Sequence, residues 1–359
     1  MIAATIEAAD VSRAAAACAR IVKRSTIPLL ECIRMRAEDG VLAMDATSLG
    51  LHLTMEIKAD VRPADGFAVP ADVLRKFAGS APSGSQIEIR QKERRVDLKA
   101  GRNRADLPTL PSSDFPMRPN AYAKIETEEV DPKTFCEALN GTLPAAEKGT
   151  VKEYLRGVFV DGSAVVATDG NSMHVFELAL RCAPSTLPSE HVPHIVDALK
   201  DGGRFGSDGE AWRVDAPGRM LAGQCLGVPY PDWTRVQAKA GPAALFDREE
   251  MLAAAKAVDL FRTKTRVVVL RCSAADGTLQ VGLEEADSGQ TSSLIQADAK
   301  HDFAVGVSLP YLLNALSMMP EGAIEICAEE GDTIAPIMLR PQQSEAFTRR
   351  RATIMPLRR

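Results

Sequence analysis

Few stretches of this chain carry residue types that could do chemistry. Gly202-Gly203-Arg204-Phe205-Gly206-Ser207-Asp208-Gly209 has the glycine density of a phosphate cradle. It follows a helical pattern instead of opening one, so it reads as a hairpin loop. His191 and His194 flank the start of that helical pattern and are zinc-ligand types. No third ligand stands near them, and no metal site is expected. Gly170-Asn171-Ser172-Met173-His174 places a serine after a turn glycine but has histidine where a nucleophile elbow needs its second glycine. A G-x-x-x-x-G-K-[ST] loop is absent from the sequence, so ATP binding is not expected. The acidic residues form no cluster distinct from a solvated surface. The expectation is a chain that is not an enzyme and holds no cofactor.

Composition narrows the class. The 359 residues are 45% hydrophobic, enough for a large core divided among two or three domains. The sequence has no apolar run of membrane-spanning length and no charged segment leading into an apolar one at its start. The seven cysteines are scattered without a C-x-x-C pair and read as small buried hydrophobes in a reducing cytoplasm. A net charge of −5 argues against a body coated for nucleic acid, but leaves room for a local basic lining.

The elements that must position any site recur. Asp39-Gly40, Asp161-Gly162 and Asp276-Gly277 each precede an apolar strand, with glycines 122 and then 115 residues apart. Val69-Pro70, Val192-Pro193 and Leu309-Pro310 follow at intervals of 123 and 117, each opening a short helix. Those helices carry Val73-Leu74-Phe77, Ile195-Val196-Leu199 and Leu312-Leu313-Leu316. Gln86-Ile87-Glu88-Ile89 matches Ala323-Ile324-Glu325-Ile326 as a later strand. Each repeat is expected to open with a helix. Val11, Ala15, Cys18 and Val22 share a face in the first; Asp131-Pro132 starts the second; Asp247 with Glu250 caps the third. The expected architecture is α+β, helix-strands-helix-strands three times, in domains 1–123, 124–242 and 243–359.

At the centre lies Val165-Val166-Ala167-Thr168-Asp169-Gly170, a strand running into a tight turn. Around it stand Tyr154-Leu155-Arg156-Gly157, Tyr230-Pro231-Asp232-Trp233 and the tail Met355-Pro356-Leu357-Arg358. Earlier come Arg24-Ser25-Thr26-Ile27-Pro28-Leu29-Leu30 and Gly101-Arg102-Asn103-Arg104-Ala105-Asp106-Leu107-Pro108. In this order, on a threefold repeat, these blocks resemble the bacterial sliding clamp, the beta subunit of the replicative DNA polymerase.

The resemblance implies a ring-forming homodimer with helices inside and antiparallel sheets outside. It would encircle double-stranded DNA without sequence preference. An ATP-driven clamp loader would place it, and it would tether DNA polymerase and other proteins bearing a clamp-binding motif. It further implies a partner-peptide pocket. Leu155, Thr168, Gly170, Asn171, Ser172 and Met173 would form one side, with Pro231, Arg235 and Val236 beside them. Ile334, Pro336, Thr353, Met355, Pro356 and Leu357 would complete it. Lys23 and Arg24 match a block that touches DNA; Lys76, Lys148, Lys152, Lys200, Arg262 and Lys264 follow by analogy of element. Leu107 would meet Leu260 and Phe261 of the other subunit. The chain departs from the family at Asn171-Ser172, where His-Arg is usual, and at Asp72, Asp259 and Ala105. A clamp paralogue from a phage or mobile element, and an oligomeric scaffold without DNA, remain as alternatives. No membrane association is expected.

Overall fold

The computed structural model describes residues 1–38, 40–149, 151–236, 238–259, 266–285, 289–332, 334–342 and 350–357. The chain packs as two compact units: Met1–Pro132 with Asp197–Cys225, and Lys133–Val196 with Leu226–Arg359.

In the first unit, helix Ala8–Ile21 forms because Val11, Ala14, Ala15, Cys18 and Ile21 recur at helical spacing. That stripe is buried against helix Ala71–Gly79 and the neighbouring strands. Of the apolar residues expected on Ala71–Gly79, Leu74 is buried while Val73 is exposed. Strands Ala3–Glu7, Gln86–Gln91, Arg95–Ala100 and Asn103–Pro108 make one antiparallel sheet, with Asn103–Pro108 on its edge. The second sheet joins distant parts of the sequence. Leu51–Lys58 pairs with Arg219–Gln224, Leu53 facing Leu221, so two strands far apart in sequence share one ladder.

The second unit is built the same way. Leu51–Lys58 has its counterpart in Ser172–Glu177, which pairs with Arg350–Ile354 in the register Met173 to Thr353. A further antiparallel sheet has Gly289–Gln296 on its edge, and ends in one parallel pairing between Phe303–Ser308 and Gly331–Asp332. Helix Arg248–Val258 starts at Asp247, whose carboxylate accepts from the Glu249 and Glu250 amides at 2.9 and 3.1 Å. Its Met251, Ala255 and Val258 enter the core with Leu312 and Leu316 of helix Leu309–Met318.

One expectation needs correction. The repeats do not open with helices: Ala3–Glu7, Glu128–Glu129 and Pro242–Asp247 are strands that precede them. In Ala3–Glu7 only Ala4 and Ile6 face inward, and five residues of alternation are easily overlooked. The glycine-rich stretch holds a strand, Arg204–Ser207, between turns at Gly202-Gly203 and Gly209, all three at positive φ.

Candidate peptide-docking site

The turn after strand Ala164–Thr168 is held from within. Gly170 adopts φ +89°, which a side chain would strain. Asp169 Oδ1 accepts the amides of Asn171 and Ser172, both at 2.8 Å. Thr168 Oγ1 donates to the Ser172 carbonyl at 2.6 Å and accepts the Gly170 amide at 3.0 Å. The turn is also anchored from outside. Tyr311 of helix Leu309–Met318 donates its hydroxyl to Asp169 Oδ2 at 2.6 Å, and Lys152 Nζ donates to the Asp169 carbonyl at 2.9 Å. Burial, then the bond and charge of Asp169, push the Tyr311 phenol up to about 12, so it remains a donor.

The tail lies alongside. Met355 donates its amide to the Asn171 carbonyl at 2.8 Å, and Leu357 donates to Gly306, also at 2.8 Å. Met173 packs with Trp233 and Tyr230, which ties segment 230–236 to the strand after the turn. Trp233 donates to Asp161 at 3.1 Å, and Tyr230 stacks on Phe159 at 4.7 Å. Segment 151–155 joins through Lys152 and through Glu147, whose amide donates to the Leu155 carbonyl at 3.0 Å.

These segments leave apolar side chains in solvent: Val151 at 92%, Ile334 at 78%, and Val236, Met355, Val228, Tyr154 and Leu357. Leu155, Met173 and Thr353 are buried. Exposed apolar side chains grouped in this way make these segments a candidate surface for a partner's apolar groups.

The structure therefore assembles Leu155, Thr168, Gly170, Asn171, Met173, Thr353, Met355, Pro356 and Leu357 about one turn. Pro231, Arg235 and Val236 sit on the segment packed against Met173. Ile334 and Pro336 precede strand Ile337–Pro341, whose Ile337 pairs with Ile354. Two residues differ from expectation. Ser172, expected on the rim, is 3% exposed, because its strand is paired on both sides and covered on both faces. Arg235, expected as a rim cation, is paired with Asp232 at 2.8 Å.

Sequence reasoning missed Asp169 as the turn's organiser, and Tyr311 as its anchor. The available signal was a tyrosine directly after Leu309-Pro310, where the second copy of that marker has His194 and the first Ala71.

The basic residues are dispersed. Lys23 and Arg24 are exposed beyond helix Ala8–Ile21, and Lys148 is exposed in the second unit. Lys76 pairs with Asp72 at 2.5 Å, and Lys200 with Asp197 at 2.9 Å. Lys76 and Arg75 hold the Asp72 carboxyl below its usual range. Lys152 is engaged at the turn. Leu107 is half-buried on the edge strand Asn103–Pro108. Leu260, Phe261, Arg262 and Lys264 lie outside the described residues, as do Arg358 and Arg359.

The sequence profile of the DNA polymerase III beta subunit N-terminal domain matches residues 5–119. The beta sliding clamp of Pseudomonas putida is 22% identical over 357 residues, covering 94% of each chain. That of Caulobacter vibrioides is 24% identical over 334 residues, 86% of this chain and 88% of its own. The crystal structure of the Caulobacter crescentus beta sliding clamp matches with TM-score 0.90 at 22% identity, over 99% of both chains. The fold, mixed α/β with antiparallel sheets, is that of the sliding clamps. Over nearly its full length the chain is similar, at low identity, to the bacterial beta sliding clamps, the DNA polymerase III beta subunits. Beta sliding clamps are non-catalytic polymerase subunits. Among the described residues no helix is long and apolar enough to cross a membrane.

Proposed function

We propose that the protein is a DNA polymerase processivity factor. It acts in the cytoplasm as a homodimeric ring around duplex DNA, loaded by an ATP-driven partner. The observation that carries this reading is the turn at Asp169-Gly170, tied to the tail and ringed by unfilled apolar side chains, on a full-length clamp fold. That site would receive the polymerase and other proteins with a clamp-binding motif. The three domains are 1–123, 124–242 and 243–359. Their support is the repeated order of leading strand, helix, strands, helix and strands.

Assembly would use sheet edges. Asn103–Pro108 and Gly289–Gln296 each end a sheet, carry Leu107 and the exposed Leu294, and offer unpaired backbone groups. Edge pairing between two protomers would bring Leu107 near Leu260-Phe261. Helices would line the hole. Lys23, Arg24, Lys76, Lys148 and Lys200 would meet phosphates, with Asp72 and Asp197 softening the grip. Arg262 and Lys264 complete the proposed set. Lys152 would have to leave the Asp169 carbonyl to join it.

A closed ring retains DNA by topology. Loaded protein should therefore stay on nicked circular DNA in raised salt and run off the same DNA once linearised. Equal loss from both forms would refute the reading.

A further inference from the structure

The first unit holds a second concavity, of about 370 Å³, on the sheet face away from helix Ala8–Ile21. Cross-strand register builds its floor. Arg34 faces Asp45, Asp45 faces Thr54, and Thr54 faces Met220, all on one side of the sheet. The segment Phe115–Asn120 crosses above and adds Arg118, while Phe115, Pro116 and Leu53 supply an apolar wall.

Arginines in this concavity are unequally satisfied. Arg36 is bonded to Asp45 at 3.0 Å and pairs with Glu38. Asp45 also accepts from Thr54 at 2.7 Å, so its oxygens are engaged before Arg34 reaches it at 3.6 Å. The Arg34 Nη1 hydrogen bond goes to the Met117 thioether at 2.8 Å, and its Nε is buried without a partner. Arg118 donates to the Met220 thioether at 3.0 Å and has no carboxylate partner among the described residues. Thioether sulfur is a weak acceptor, and a guanidinium carries five donors in a fork shaped for an oxyanion.

We infer that this concavity binds a small carboxylate or phosphate ligand with a short apolar flank, held between Arg34 and Arg118 against Phe115 and Pro116. The volume lies near the lower end for ligand pockets, so the occupant is small. Burial, then the charges of Arg213 and Arg36, lower the Arg118 pKa, the condition an incoming anion would relieve. The site does not depend on the peptide pocket, and its test is separate.

Succinate and phenyl phosphate, titrated calorimetrically into the full-length protein at low salt, distinguish the two oxyanion sources. Succinamide serves as the neutral control. At least one dianion should bind with millimolar affinity or better, weakening as salt rises. Arg118→Gln should weaken binding about tenfold or more, since a charge-assisted fork is lost. Arg118→Lys, which keeps the charge and therefore the fold's electrostatics, should fall between the two. Failure of both dianions to bind wild type, or undiminished binding by both Arg118 variants, would overturn the assignment.

Discussion

Asp169→Ala is the most direct probe of the docking turn. The carboxylate accepts three hydrogen bonds: the Asn171 and Ser172 amides at 2.8 Å and the Tyr311 hydroxyl at 2.6 Å. Bonds to a charged group contribute about 1.5–3 kcal/mol when dry, and the half-exposed turn lets water recover part, leaving roughly 1 kcal/mol each. Losing all three should destabilise the turn by about 3 kcal/mol, close to a hundredfold in its opening equilibrium. Tyr311→Phe removes one bond and should cost about 1 kcal/mol, near fivefold. Amide hydrogen exchange at Asn171 and Ser172, read by mass spectrometry, reports that opening without any partner. The affinity of a Gln-Leu-x-Leu-Phe-type peptide should decline in the same order. Exchange in Asp169→Ala within twofold of wild type would refute the reasoning.

Other expectations follow from the same structure. The Tyr311 phenol titrates near 12, above the ordinary value of about 10, so its contribution is complete below pH 10 and is lost as pH rises toward 12. Turn exchange, corrected for its intrinsic rate, should rise over that window in wild type and stay flat in Tyr311→Phe. Burial first, then Glu31 and Asp302 respectively, push Cys32 and Cys272 up to about 11, and burial also raises Cys18 and Cys327. Iodoacetamide should therefore label the half-buried Cys136, Cys182 and Cys225 well before those four, as peptide mapping would show. Gly206→Ala places a Cβ 1.9 Å from the Glu126 carbonyl oxygen and should cost roughly 3 kcal/mol, measured by denaturant unfolding. Arg24→Glu should impair loading on circular DNA and leave the dimer's sedimentation unchanged.

What was legible in the sequence was local. The Asp247 cap, the Asp169-Gly170 turn and the helical stripe through Val11, Ala15 and Cys18 each depend on residues within a few positions. The clamp resemblance grouped the turn with the tail, and in the fold the Met355 amide donates to the Asn171 carbonyl. What stayed hidden depends on register. Ser172 reads as a turn residue until strands paired on both sides of it, and cover on both faces, bury it, and Tyr311 is 142 positions from the carboxylate it holds. The arginine concavity is a row across strands, so Arg34, Asp45, Thr54 and Met220 have no spacing that would announce it.

The pairing of Ser172–Glu177 with Arg350–Ile354 also bears on how the protein matures. Val175 meets Arg351, 176 positions further on, and closing so long a loop costs entropy before the ladder returns any stability. The tail that borders the docking turn arrives only with that closure. A chain whose second unit is unfinished therefore presents the turn without its neighbour at Met355. Docking competence becomes a certificate of completed folding, and half-formed subunits compete poorly for partners.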